Sequence, residues 1–181
     1  MTLNTFEALA MLSAILGILI LGTTLLRSNL SFYRLHTMAI AAETAWIAHL
    51  TKEEHLYFIA LGVLIVKALF IPTFLSWVMK KVEVGSDKQT FLAAPLSMHL
   101  GALMLGISYL ISQQIPGLVG DPDSRFGSTA AMSILFTGVL LMLTRRAALS
   151  QIVGFLVIEN GIYLFAITQT HGMPLLIEMG F

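Results

Sequence analysis

Three ionisable side chains lie deep inside stretches of sequence that are otherwise apolar. Glu159 lies near the middle of the apolar run 149–167, which is long enough to cross a bilayer. Glu43 and Lys67 lie at similar depth in two other runs. A charged side chain at the centre of a membrane helix costs about 2.5–3.5 kcal/mol on insertion scales, so such a residue is by default a functional hypothesis. Together the three residues predict a polar axis inside the membrane, with proton transfer as its candidate chemistry.

Lys67 lies five residues before Pro72 and far from either end of its apolar run. At that depth a lysine cannot easily reach water, so it needs an acidic partner or a wet cavity. Pro72 removes the backbone donor to the carbonyl group of Ala68 and tends to kink or break the helix. A carbonyl freed beside an ammonium can bind water in a proton path. The alternative is a static lysine–glutamate pair that holds two helices together.

Glu159 is followed directly by Asn160 and Gly161. The asparagine lies about 100° round the helix, and the glycine permits a neighbouring helix to approach closely. Burial in a medium of low dielectric constant disfavours the charged form of a carboxyl group, whereas a nearby ammonium favours it. A carboxyl group that is subject to both effects can take up and release a proton. The alternative is a protonated acid that hydrogen-bonds across a helix interface.

Glu43 has small neighbours, Ala41, Ala42 and Ala45, which favour a packed helix face over a lipid-facing one. It either pairs with Lys67 or continues the polar track, and the sequence leaves both interpretations open. The histidines do not have the spacing of a metal or haem motif. They are His36, His49, His55, His99 and His171.

The composition indicates an integral membrane protein. The chain is 57% apolar and 11% charged, with a mean hydropathy of +0.87, whereas a soluble domain carries about 25% charged residues. The absence of cysteine excludes disulfides, thiolate-held iron–sulfur clusters and a cysteine-ligated nickel–iron centre within this chain. The net charge is zero and there is no basic block, so nothing indicates nucleic acid as a partner. The amino terminus lacks the features of a cleaved signal peptide and is expected to be a retained first helix.

Lysine and arginine residues are frequent in every second connection between the apolar segments and scarce in the other connections. Seven lie in the first, third and fifth connections and two in the others, which by the positive-inside rule places both termini on the outer, periplasmic side. The predicted fold is an all-α integral membrane protein, a single transmembrane domain over 1–181 with a bundle of about six helices. The predicted spans are 6–26, 31–51, 56–79, 92–113, 127–145 and 148–169.

Three segments resemble the hydrogenase-4 component E family. Residues 151–161, from Gln151 to the triplet Glu159-Asn160-Gly161, resemble its Q-I-x-G-[YF]-x-x-x-E-N-G motif. The segment 67–72 is similar to its K-x-L-x-x-P, and 174–180 is similar to its P-x-L-[VI]-E-x-G loop. Order and spacing agree over most of the chain. The family usually continues into another hydrophobic helix that carries an acid, whereas this sequence stops at Phe181.

The resemblance implies a membrane subunit of formate-hydrogenlyase-type and related assemblies. The family is similar in turn to the K-type subunit of respiratory complex I and to the C-type subunit of multisubunit cation/proton antiporters. By this resemblance Glu159 is one of the glutamates of their central hydrophilic axis. Glu43 matches the second-helix glutamate of the K-type subunit less well, because Arg27 and Asn29 lie too far upstream of it.

We therefore expect a proton-translocating subunit of a complex I-like, energy-converting assembly in a bacterial or archaeal cytoplasmic membrane. Its expected partners are the lipid bilayer and other membrane subunits, including antiporter-like ones. No cofactor is expected in this chain, and Ni–Fe and Fe–S centres are expected in partner subunits. The alternatives are a purely structural subunit that docks an antiporter-like neighbour, and a subunit of a Na⁺/H⁺ antiporter.

Overall fold

A computed structural model describes residues 5–82, 86, 90–115 and 122–170 of the chain, and these residues form helices and no strand. His171 and the segment 174–180, which the sequence singles out, lie outside the described residues. The third helix is continuous but has π-helical geometry over Val63–Phe70. The helices are α1 (Thr5–Leu21), α2 (Leu26–Thr51), α3 (Glu54–Val82), α4 (Ala94–Ser112), α5 (Pro122–Thr144) and α6 (Ala148–Thr170).

Four of these helices are long and apolar enough to cross a membrane, namely α3, α4, α5 and α6. The protein is therefore a helical membrane protein. α1 is apolar but has only 17 residues. α2 has 26 residues, and its apolar character is interrupted by Arg27, Arg34 and Glu43.

The predicted boundary between the first two spans is wrong. The sequence predicts spans over 6–26 and 31–51, but α1 ends at Leu21 and α2 already begins at Leu26. Gly22 has weak helix propensity and the threonines that follow it are β-branched, which disfavours continuation of the helix. Hydropathy does not detect this turn because the residues on both sides of it are apolar.

The helices pack around α2 and α5. α2 contacts α1, α3 and α6, while α5 runs along α6 and also packs on α1 and α4. α3 and α4 lie on the outside and expose large apolar side chains, such as Phe70 on α3 and Leu110 on α4. Of the residues that interrupt α2, Glu43 is buried inside the bundle, Arg34 is half-buried and Arg27 is exposed, whereas α3, the most apolar helix, faces outward.

Close backbone contact fixes α6 against α5. At Gly161 a Cβ atom would lie 2.8 Å from the backbone nitrogen of Leu135, and at Gly138 it would lie 2.7 Å from the backbone nitrogen of Ile158. Real Cβ atoms do not approach backbone atoms so closely, so only glycine fits at these two positions. This contact sets the position of α6, and with it the position of Glu159.

Three connections meet at one end of the bundle. The backbone of Leu25 pairs with Ser86, and that of Thr90 pairs with Arg145. The turn between α1 and α2, the connection between α3 and α4, and the turn between α5 and α6 therefore lie together. These are the three connections that the sequence identifies as basic.

Candidate functional site

Lys67 and Glu159 form an ion pair between α3 and α6. Lys67 Nζ lies 2.8 Å from Glu159 Oε1. Each residue lies near the middle of its helix. The Lys67 side chain is only 16% exposed, whereas 45% of the Glu159 side chain is exposed. The structure thus joins two of the three ionisable residues that the sequence identifies, at mid-depth in the bundle.

Asn160 connects this pair to α2. Its amide nitrogen donates a hydrogen bond of 2.9 Å to Thr37 Oγ1, and its carbonyl oxygen accepts one of 3.4 Å from Lys67 Nζ. Asn160 and Thr37 are fully buried. A buried amide whose donor and acceptor groups both have partners holds the neighbouring side chains in defined positions. Three helices therefore share one polar network.

Tyr163 extends the network by one turn of α6. Lys67 Nζ lies 5.7 Å from the centre of the Tyr163 ring, which is within the range of a cation–π contact. The Tyr163 hydroxyl lies 3.0 Å from Thr44 Oγ1 on α2. The ammonium of Lys67 thus has a carboxylate, an amide oxygen and an aromatic face as neighbours.

The backbone around Lys67 is π-helical, and Pro72 accounts for this geometry. The N–H group of Ile71 bonds to Val66 O, five residues back. Pro72 comes next, has no N–H group, and in an α-helix its ring would crowd the carbonyl group four residues earlier. The wider π turn precedes this position, and α-helical geometry then continues to Val82. π-Helical segments are rare and are frequently found at functional sites.

Glu43 lies apart from the ion pair. Its side chain is fully buried, and neither carboxyl oxygen has a hydrogen-bond partner among the described residues. It faces the hydroxyl group of Ser13 on α1. The sequence left open whether Glu43 pairs with Lys67 or continues the polar track. In the structure Lys67 pairs with Glu159 and not with Glu43.

His36 is a buried group that the sequence did not single out as a functional residue. It is fully buried, and its Nδ1 atom lies 2.8 Å from Ser13 O. The available signal was its spacing of seven residues from Glu43, which places both side chains on one face of α2. Within the described residues no three histidine, aspartate or glutamate side chains gather as metal ligands would.

Comparison with known proteins extends over nearly the whole chain. The chain is 21% identical to hydrogenase-4 component E of Escherichia coli over an alignment of 182 residues, which covers 99% of this chain and 82% of that protein. The resemblance to hydrogenase-4 component E is thereby confirmed. Hydrogenase-4 component E of Shigella flexneri matches with the same identity and coverage.

A second relative covers less of the chain. An uncharacterized protein of Mycobacterium tuberculosis is 27% identical over 135 residues, which is 71% of this chain and 59% of that protein. The chain thus spans about three fifths of the length of this relative. No family model matches the sequence and no solved structure matches it.

Proposed function

We propose that this protein is a membrane subunit of a hydrogenase-4-type, complex I-like assembly, in which Lys67 and Glu159 belong to a proton path. The observation that carries the proposal is the 2.8 Å contact between Lys67 Nζ and Glu159 Oε1 at mid-depth in the bundle. The similarity to hydrogenase-4 component E over 99% of the chain supports the type of assembly. Nickel–iron and iron–sulfur chemistry then belongs to partner subunits.

The pair has the properties that a reversible proton step requires. A proton that passes from Nζ to Oε1 along their hydrogen bond neutralises both groups at once, and its return restores both charges. A difference of one pKa unit between two states corresponds to about 1.4 kcal/mol. A movement of the helices that separates the two groups, or that brings intramembrane water to one of them, is therefore sufficient to drive the proton in one direction. Redox chemistry in the partner subunits would supply that movement.

The exposure of Glu159 supports a partner subunit that binds at this face of the bundle. A carboxylate with 45% of its side chain exposed is unfavourable against hydrocarbon at mid-depth. A neighbouring membrane helix that presents a polar or basic side chain would cover it and continue the path. By the resemblance to hydrogenase-4 component E, antiporter-like membrane subunits are candidates for this neighbour.

The proposed topology has six spans in a single transmembrane domain, with α1 and α2 added to the four apolar helices. α2 can cross because its polar side chains His36, Thr37 and Glu43 are buried within the bundle. Both termini then lie outside. The basic connections, which meet at one end of the bundle, lie on the cytoplasmic side of a bacterial or archaeal inner membrane.

A structural subunit without proton transfer is the second candidate. The observation that favours it is the link from Lys67 through Asn160 to Thr37, which ties three helices together. In this case the ion pair would act as a static contact that positions α3 for docking an antiporter-like neighbour.

The substitution Glu159→Gln separates the two functions. Glutamine keeps the size and hydrogen bonding of the side chain but cannot ionise. Proton pumping and redox turnover are measured with the intact complex in sealed vesicles, after equal assembly has been shown. Loss of pumping with retained redox turnover is the result expected of a proton path. Unchanged pumping would favour the structural subunit. Glu54→Gln, at the start of α3, is the matched control and is expected to pump normally.

A further inference from the structure

Tyr33 is a large buried side chain beside the Lys67–Glu159 pair. It lies on α2, one turn before Thr37, and its side chain is fully buried. Its hydroxyl group lies beside the side chains of Thr37 and Asn160, and close to Glu159. The hydroxyl has no hydrogen-bond partner among the described residues. A polar group without a partner is therefore aimed into the network that holds the ion pair.

The side chains around this hydroxyl are bonded to other groups. The amide nitrogen of Asn160 donates to Thr37 Oγ1 at 2.9 Å, and Lys67 Nζ donates to the amide oxygen of Asn160 at 3.4 Å. A buried polar atom without a partner is unfavourable, and native proteins rarely keep one without a reason. Here the unfavourable contribution belongs to the arrangement in which Lys67 is paired. If Lys67 moves away, the amide oxygen of Asn160 becomes an acceptor for the hydroxyl of Tyr33.

The second tyrosine of the network differs from Tyr33 in this respect. The Tyr163 hydroxyl lies 3.0 Å from Thr44 Oγ1, and the Tyr163 ring lies 5.7 Å from Lys67 Nζ. Both the hydroxyl and the ring of Tyr163 therefore have neighbours while Lys67 is paired with Glu159. Tyr33, by contrast, gains a hydrogen bond when the pair opens.

We propose that Tyr33 is a positioning residue of the proton path, whose hydroxyl donates to the amide oxygen of Asn160 when Lys67 leaves it. The bond from Tyr33 replaces the bond that is lost and keeps the Asn160 amide in place. Glu159, the preceding residue in α6, then keeps its position while its counter-charge is away. Tyr33 thereby lowers the free energy of the open arrangement relative to the paired one. The inference deepens the proposed function and rests on it for the opening of the pair, whereas the new bond itself is tested without proton pumping.

Thermal unfolding of the full chain in detergent tests the new bond. Lys67→Met removes the ammonium and frees the amide oxygen of Asn160, so this variant represents the open pair. In the unsubstituted protein Tyr33→Phe removes a hydroxyl that bonds to no described residue, so we expect an unfolding midpoint that is unchanged or higher. In the Lys67→Met background the same substitution removes a bond, so we expect the midpoint to fall. A fall that is no larger in the Lys67→Met background than in the unsubstituted protein overturns the proposal.

Infrared spectroscopy gives a second readout, which a role in packing alone would not change. The tyrosine C–O band that disappears in Tyr33→Phe is the band of Tyr33, and its position depends on whether the hydroxyl donates a hydrogen bond. We expect this band to shift between the unsubstituted protein and Lys67→Met. Tyr109 is the matched control, because it lies exposed on α4, and the band lost in Tyr109→Phe should not move. A Tyr33 band at the same position in both proteins overturns the proposal.

Proton pumping by the intact complex in sealed vesicles tests the role of Tyr33 and needs no substitution at Lys67. A hydrogen bond between membrane helices changes an equilibrium constant about 3-fold on average and at most about 18-fold. We expect Tyr33→Phe to slow pumping by a factor in this range at equal assembly, and Tyr109→Phe to pump normally. Normal pumping by Tyr33→Phe overturns the positioning role. Normal pumping by Glu159→Gln contradicts the proposed function instead, while the unfolding midpoints and the infrared band still report on the bond of Tyr33.

Discussion

The guanidinium group of Arg145 donates a hydrogen bond of 2.7 Å to the carbonyl oxygen of Leu21, although 124 residues separate the two in the chain. A second bond of 3.1 Å goes from the same nitrogen to Thr23 O. Arg145 is fully buried. Its side chain therefore caps the carboxyl end of α1, where the last carbonyl groups have no partner within the helix. A residue that the sequence counts only as a basic loop charge fastens the turn between α5 and α6 to α1.

Replacing this arginine should destabilise the fold. In Arg145→Leu the carbonyl group of Leu21 loses this donor, at a cost of about 1–3 kcal/mol for a buried group left unsatisfied. Thermal unfolding of the protein in detergent, followed by circular dichroism, measures the loss. The control is Arg146→Leu, because Arg146 is exposed and lies 4.1 Å from the centre of the Phe91 ring. That variant should lose less than about 1 kcal/mol, the range of an exposed cation–π contact. Equal losses in the two variants would contradict the capping role.

Lys67 and Glu159 should be energetically coupled. Lys67→Met leaves the carboxylate without its ammonium, and Glu159→Gln leaves the ammonium without its counter-charge. The double variant removes both charges, so we expect it to be more stable than the sum of the single losses predicts, with a coupling of about 0.5–3 kcal/mol. This coupling is measured by unfolding the unsubstituted protein, the two single variants and the double variant in the same detergent. Additive losses would show that the 2.8 Å contact does not contribute to stability.

Asn160 should matter more than its hydrogen-bond partner Thr37. Thr37→Val removes one bond of 2.9 Å, whereas Asn160→Ala removes that bond and the contact with Lys67. A side-chain hydrogen bond between membrane helices contributes on average about 0.6 kcal/mol and at most about 1.7 kcal/mol. We expect the loss in unfolding free energy to be larger for Asn160→Ala than for Thr37→Val. A larger loss for Thr37→Val would mean that the Thr37 side chain on α2 contributes more to stability than Asn160.

Gly161 should not tolerate a methyl group. A Cβ atom there would lie 2.8 Å from Leu135 N and 2.9 Å from Ala131 O, and neither backbone atom can move without shifting α5. Gly161→Ala should therefore cost about 1–3 kcal/mol, the usual penalty of overpacking.

The matched control is Gly106→Ala on α4, where a Cβ atom would meet nothing within 4 Å. Alanine has a higher helix propensity than glycine by about 1 kcal/mol, so this variant should be neutral or slightly more stable. Assembly with partner subunits provides a second readout, because displacement of α6 moves Glu159. Equal behaviour of the two alanine variants would be evidence against close packing of α5 on α6.

Hydropathy was sufficient to locate the four long apolar helices, α3 to α6, because the free energy of burying apolar side chains in lipid depends on composition and length. The segments 56–79, 92–113, 127–145 and 148–169 that hydropathy singles out each overlap one of these helices. Hydropathy failed at Gly22 to Leu25, where a turn interrupts residues that are all compatible with a span. A turn of this kind depends on which distant group satisfies the freed carbonyls, and here that group is Arg145.

The sequence by itself determined that ionisable residues lie deep in apolar segments, because the depth of a residue follows from its distance along the chain from the two ends of its segment. Helical period placed Glu159 and Lys67 on faces of their helices but did not say which faces meet. Only the tertiary structure decided that Lys67 pairs with Glu159 and that Glu43 lies with His36 beside Ser13. The physical reason is that helix pairing depends on close contacts such as that of Gly161 with α5, and these contacts join residues far apart in the chain.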